Sequence, residues 1–470
     1  MRSVFHARYA WVGDGVAEDV RIEIENGRFT AVTPGSPAEG EPLPGLVLPG
    51  LANAHSHAFH RALRGRTHSG RGSFWTWREQ MYAVAAALDP DSYLALARAV
   101  YAEMALAGIT CVGEFHYLHH APGGVRYADP NAMGAALIQA ADEAGIRITL
   151  LDTLYLTGGV DGTPLQGVQE RFGDGDALAW ASRVAGLRGG PHSLIGAAIH
   201  SVRAVPADQL AELAGRAPLH VHLSEQRAEN EQCRAVHGCT PTELLDRHGV
   251  LGPGTTAVHA THLTDGDVKL LGDSGAGVCF CPTTERDLAD GIGPARRLAD
   301  AGVPLSLGSD SHAVIDPFEE LRGLEMNERL ASESRGHFPA ASLVTAAAAH
   351  AALGWDDAGV IAPGMRADLV AISLSTVRTA GARPDQAILA ATAADVTHVI
   401  SGGRRIVADG VHTLVDVSRE LAQALATRTP VPSPSPASSS AGPASSSAGP
   451  ARSAGPALSP AGSPVLDGPS

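Results

Sequence analysis

The chain has 470 residues, a mass of 48.3 kDa and a formal charge of −15, from 35 Lys and Arg against 50 Asp and Glu. That balance excludes the cationic footprint that nucleic acid or an anionic membrane requires. With 44% apolar but only 4% aromatic residues, the core has to be packed from Ala, Leu, Val and Gly.

The first 50 residues read as short strands joined by turns. RIEIE (21–25) alternates with period two, Asn26-Gly27 is a hairpin signal, and RFTAV (28–32) continues the pattern. From 51 to 355 the texture changes. Helical stretches such as 93–107 alternate with β-rich runs at 109–113, 147–151, 194–199, 219–223, 256–259, 277–281 and 304–310. Such alternation over ~300 residues predicts a (β/α)8 TIM-like barrel, whose active sites are built where the strands end. Strand texture returns at 367–374, 396–400 and 405–410. Residues 1–50 and 356–420 are therefore expected to form one small β-sandwich domain, discontinuous in sequence and assembled from both chain ends. The segment 430–470 carries a degenerate ASSSAGP repeat and almost no charge, and is expected to be a disordered tail.

No apolar run approaches the ~20 residues of a transmembrane helix, and the N-terminal segment lacks the apolar stretch of a secretory signal. Five cysteines are too few, and odd in number, for a disulfide framework. Cys279 and Cys281 form CxC rather than a zinc-type CxxC, and Cys233 and Cys239 read as structural. A cytoplasmic protein without nucleic-acid or membrane partners is the expectation.

Histidines and acids recur at the predicted strand ends. His55 and His57 are two apart, so a strand presents both on one face as a stiff half-site for a divalent metal. HVHLSE (220–225) adds His220, His222 and a carboxylate, Glu225, which serves either as a proton shuttle or as a helix cap. His259 and Asp310 end two further strands; singly, each reads equally well as a satisfied core polar residue.

Taken together, LPGLANAHSHAFHR (48–61), HVHLSE, AVHATHL (257–263) and LGSDS (307–311), in that order, resemble the amidohydrolase superfamily in its mononuclear-zinc deaminase branch. The likeness covers about residues 1–420. It implies one divalent metal, zinc, bound by His55, His57, His222 and Asp310. It implies Glu225 as the proton shuttle, His259 as the group holding the water or the developing oxyanion, and Asp310 as a second proton acceptor. Homodimers are frequent among such barrels. Binuclear relatives bridge their metals with a carboxylated lysine on an early strand; the single lysine here, Lys269, follows His259 and cannot fill that place.

The substrate is narrowed by FWTWREQMY (74–82), aromatic-dense in an aromatic-poor chain, and by HSVRAV (200–205). Arg78 and Arg203 suit a substrate with two carboxylates, or one carboxylate held from both sides. These segments, with GEFHYLHH (113–120) and CFCPTTERDLADGIGP (279–294), are similar to the formimidoylglutamate deiminase group of the superfamily. That resemblance implies hydrolysis of N-formimino-L-glutamate to N-formyl-L-glutamate and ammonia in histidine degradation. It also implies Arg78, Tyr117, His200 and Arg203 as substrate contacts. His60 is a further contact, and it stands where the group leads one to expect glutamine. The rival readings are a deaminase of guanine or an adenosine derivative, and a barrel that serves only as a scaffold.

Overall fold

Why the chain builds two sheets follows from two burial patterns. In the computed structural model, which describes residues 2–67 and 74–426 (backbone only for 74 and 75), the first strands are β1 (Arg2–Val12), β2 (Gly15–Glu25), β3 (Arg28–Thr33) and β4 (Glu41–Pro49). In β2 the buried Val20, Ile22 and Ile24 alternate with Arg21, Glu23 and Glu25, the period of a strand with one wet face. The next strands differ. β5 (Leu51–Ser56), β6 (Ile109–His116), β7 (Arg147–Leu154), β9 (Leu219–Leu223) and β10 (Thr255–His259) are buried along their whole length, as parallel strands between helices must be. With β8 (Ser193–Ile199), β11 (Gly277–Phe280) and β12 (Leu305–Leu307) they pair in chain order, each parallel to the next.

The eight strands close into a barrel at a seam between β12 and β5. There Ser309 N and Asp310 N donate to His55 O at 3.1 and 3.0 Å, and Ser56 bridges to Asp310. The approach is so close that a Cβ on Gly308 would stand 2.7 Å from His55 Cβ, which is why glycine occupies this position. Buried polar groups stitch the seam. Asn53 donates to Ser309 Oγ at 2.6 Å, His312 bridges Ser309 and Ser56, and Ser56 donates to Glu114 at 2.7 Å.

After the barrel, β13 (Leu369–Ile372), β14 (Val396–Ser401), β15 (Arg404–Ala408) and β16 (Val411–His412) join β1–β4 in one mixed sheet, in the order β16-β15-β14-β13-β4-β1-β2-β3. The sheet curls on itself. The β2–β3 turn meets the approach to β13, where Ala367 N donates to Gly27 O at 2.8 Å and Phe29 N to Met365 O at 3.0 Å. One apolar cluster, including Phe5, Ile22, Phe29, Val47, Leu369 and Ile400, is enclosed in this way, which gives the expected two-ended β domain its sandwich-like core. A buried ion pair ties this sheet to the barrel: Arg147 at the start of β7 donates to both oxygens of Asp368, one of them at 2.9 Å. Asp368 also accepts from Gly402 N at 2.7 Å. Among the described residues no helix is long and apolar enough to cross a membrane. The expected tail at 430–470 lies outside the described residues.

Candidate active site

The strand ends deliver their polar side chains to one point. Asp310 Oδ1 lies 3.2 Å from His55 Nε2 and 3.3 Å from His57 Nε2, Asp310 Oδ2 lies 3.8 Å from His259 Nε2, and His222 Nε2 lies 3.1 Å from His55 Nε2. The backbone is bent to achieve this. Ser224, His259, Ala260, Asp310 and His312 all have positive φ, between 37° and 68°, a conformation that costs roughly 1–3 kcal/mol for each non-glycine residue and clusters at functional sites.

The protonation pattern suits a cation. His57 Nδ1 faces Phe115 O at 2.8 Å and His222 Nδ1 faces His200 O at 2.9 Å. A carbonyl only accepts, so each Nδ1 carries a proton and each Nε2 is the nitrogen turned toward the cluster. Burial drives His55 down to about 3 and His222 well below the usual histidine range, so both rings are neutral. Burial opposes ionisation of Asp310, but the His55 and His57 rings against it outweigh that and hold its carboxyl well below the usual range. Neutral imidazoles and a carboxylate converging in a dry pocket are the donor set of a tetrahedral divalent-metal site. His55 Nε2 and His222 Nε2 stand 3.1 Å apart, and with His259 and Asp310 they offer donor atoms that all lie within 4.8 Å of one another.

Beside this cluster, burial raises the pKa of Glu225. His259 is surrounded by carboxylates. Burial lowers its basicity, but Glu225, Glu285 (3.5 Å from Nδ1) and Asp310 more than reverse that. A cavity of about 50 Å3 opens on Glu225, His259 and Asp310. Its walls include His60, Arg78, Tyr117, His200 and Arg203, so the residues named from the sequence meet in one place. His60 Nε2 shares a hydrogen bond of 2.9 Å with Tyr117 OH, the Arg78 guanidinium lies 5.5 Å from the Tyr82 ring centre, and Arg203 Nε is 4.0 Å from the buried Glu229. A larger cavity, about 470 Å3, sits at the opposite ends of β10–β12 against Trp11. It holds no converging donor set, so size does not mark the site here.

Several wall residues escaped the sequence reading. Trp77, Met81 and Tyr82 lie within the aromatic segment already singled out, and Tyr155 directly follows β7, where the strand-end rule would have found it. Leu288 lies within the 279–294 segment singled out for its resemblance, and Phe172 carried no signal. Glu285, behind His259, lies in the CFCPTTERD segment, but nothing in its spacing marked it. A second donor group, His116, His119 and Asp152, is also buried. There Arg183 holds Asp152 through two hydrogen bonds of 2.8 and 2.9 Å, and Trp180 donates to it at 2.8 Å. The guanidinium occupies the place a cation would need, and this cluster is structural.

Comparisons with known proteins agree with this geometry. The profile described as the amidohydrolase family matches residues 46–406, and that described as the N-terminal domain of formimidoylglutamate deiminase HutF matches residues 2–43. The chain is 38% identical over 435 residues to a formimidoylglutamate deiminase of Pseudomonas aeruginosa, covering 87% of this chain and 96% of that protein. It is 31% identical over 393 residues to an 8-oxoguanine deaminase of the same species, covering 80% and 86%. Among solved structures, an amidohydrolase from Brucella melitensis superposes with a TM-score of 0.84 at 34% identity, covering 90% of this chain and 99% of its own. An adenosine deaminase from Xanthomonas campestris with bound zinc superposes with a TM-score of 0.76 at 25% identity, covering 90% and 96%.

Proposed function

The chain belongs to the amidohydrolase family, in its formimidoylglutamate deiminase branch, and from that premise we propose that it hydrolyses N-formimino-L-glutamate to N-formyl-L-glutamate and ammonia. The observation that carries the proposal is the placement of Arg78 and Arg203 in the same small cavity as Glu225 and the His–Asp cluster. Two guanidiniums answer the two carboxylates of a glutamate derivative. The cationic formimino group is answered by the acidic Glu225 and Asp310 of the same cavity. A purine carries no pair of carboxylates for the two arginines to hold. A small metabolite of histidine degradation fits a cytoplasmic enzyme.

His55, His57, His222 and Asp310 would hold a single zinc ion, which supplies an acidified water as the nucleophile at neutral pH. Arg78, Arg203 and Tyr117 bind the carboxylates, and His60 braces Tyr117 through their shared hydrogen bond. Asp310 accepts a hydrogen bond from the attacking water and fixes its line of approach. The water oxygen bonds to the formimino carbon, and the charge that develops there is met by His259, held from behind by Glu285. Glu225 takes the proton released by the water and delivers it to the terminal nitrogen. Asp310 takes the remaining hydroxyl proton as the formyl C=O forms, the bond from that carbon to the protonated nitrogen breaks, ammonia leaves, and the formyl group remains on glutamate. Hydrophobic walls of Trp77, Met81, Tyr155 and Phe172 exclude bulk water from the proton path.

The test is ammonia release by purified, metal-analysed protein offered N-formimino-L-glutamate, N-formiminoglycine, N-guanidino-L-glutamate and guanine. Turnover of the first alone supports the proposal. Turnover of guanine without turnover of formiminoglutamate overturns it in favour of a ring deaminase, and folded protein free of zinc would favour a scaffold.

A further inference from the structure

Arg171 is a buried arginine, 1% exposed, whose charge is met by backbone carbonyls rather than by a carboxylate. Its Nε donates to His120 O at 2.7 Å, its Nη1 to Ala85 O, and its Nη2 to Leu88 O at 2.7 Å and Tyr127 OH at 3.5 Å. The planar fork of a guanidinium serves four acceptors at once, one more than the three donors of an ammonium could. The acceptors belong to different pieces of the cavity wall. Ala85 and Leu88 are at the C-terminal end of the helix Phe74–Ala87, the negative end of its dipole. That helix turns Trp77, Arg78, Met81 and Tyr82 toward the cavity. His120 lies three residues after Tyr117, and His119 N and His120 N donate back to Arg171 O at 3.0 and 2.9 Å. The next residue, Phe172, lines the cavity itself, with its ring centre 5.1 Å from that of Tyr117 and 5.4 Å from that of Tyr155. Two residues earlier, Gln169 donates to Tyr82 OH at 3.1 Å and Tyr155 OH at 3.3 Å.

We propose that Arg171, assisted by Gln169, is the positioning residue that sets the outer wall of the substrate cavity, fixing where Arg78 and Tyr117 meet the substrate without touching the reacting atoms. The inference rests on the reading of that cavity as the formiminoglutamate site. Loss of the clamp displaces carboxylate contacts made equally in ground and transition states, so affinity falls while the chemical step is spared. In the zinc-loaded full chain, Arg171→Lys should raise KM about tenfold and Gln169→Leu about threefold, with kcat within about twofold and metal content unchanged. Millimolar guanidinium should lower the raised KM of Arg171→Ala while leaving the wild type unmoved. Should Arg171→Ala not accumulate as folded protein, Arg171→Lys and the partly exposed Gln169→Leu decide the matter. An unshifted KM in either of these two, or a fall in kcat that tracks metal loss, overturns the inference. No ammonia from the wild-type enzyme would defeat the functional reading and this inference with it; an active wild type with unshifted variants would defeat the inference alone.

Discussion

Replacing Glu225 with glutamine separates proton transfer from everything else the site does. The side chain is 5% exposed, sits three residues past His222 and lines the cavity without belonging to the inferred ligand set. Glutamine keeps its volume and its ability to hydrogen-bond, so neither the walls nor the converging His55, His57, His222 and Asp310 need shift. What is lost is a group that can accept a proton from water and return it to the leaving nitrogen. A positioned acid–base group contributes about 10²–10⁴ in rate, or roughly 3–5 kcal/mol of barrier. In the proposed binding mode the substrate carboxylates are held elsewhere, by Arg78 and Arg203, so KM should stay within about threefold of wild type. The assay is steady-state ammonia release over a range of substrate concentrations, with metal content measured on the same preparation. A variant that retains its metal and turns over within about fivefold of wild type would refute the role given to Glu225 and the proton path built on it.

Other outcomes follow from the same structure. Asp310→Ala should abolish both metal retention and turnover, and a chelator should inactivate the wild type reversibly, with activity restored by zinc; both are read by metal analysis beside the activity assay. His60→Gln should leave KM within about threefold, because the glutamine amide can also hydrogen-bond to Tyr117 OH, whereas His60→Leu strips that bond and should raise KM about tenfold. Asp368→Ala leaves Arg147 buried and unpaired, a loss of roughly 3–5 kcal/mol. With unfolding entropies of about 2 cal/mol/K per residue, that is a fall in Tm of about 3–6 °C by calorimetry. Burial opposes ionisation of Asp152, but the charge of Arg183 more than compensates and holds the carboxyl down to about 2. Its folded pKa thus lies below the unfolded value of about 3.9. The ion pair stabilises fully above that value and is lost as pH falls toward about 2, a contribution of about 2 kcal/mol. Chemical denaturation between pH 5 and pH 3 should show the loss, and Asp152→Asn should flatten it.

The proposed reaction centre is more legible in the sequence than its surroundings, for a physical reason. A metal and an acid–base group demand particular atoms, so the candidates His55, His57, His222, Glu225, His259 and Asp310 stand out by residue type at predicted strand ends. Strand periodicity gave Leu219–Leu223 with the bounds the structure shows, while Gly277–Phe280 stops one residue short of the expected run because Cys281 opens the next helix. Positioning residues are less legible, since what they must do can be done by many groups. Arg171 acts through carbonyl oxygens, which every residue carries, so nothing in its neighbours' identities announces it. Glu285 and Glu229 look like any surface glutamate until the fold buries them behind His259 and beside Arg203. The tie from Arg147 to Asp368 spans 221 residues and follows no local pattern.

The seam at which the barrel closes brings together the first and last barrel strands, and the same junction supplies both His55 and Asp310. A growing chain presents His55 and His57 early, but the carboxylate that completes their set is synthesised more than 250 residues later. A product truncated before Asp310 therefore has an open barrel and an incomplete ligand set together. On the proposed ligand set, ion uptake would report that the whole barrel has been made and shut, and an ion acquired there would act as a clasp holding the two ends of the closed circuit.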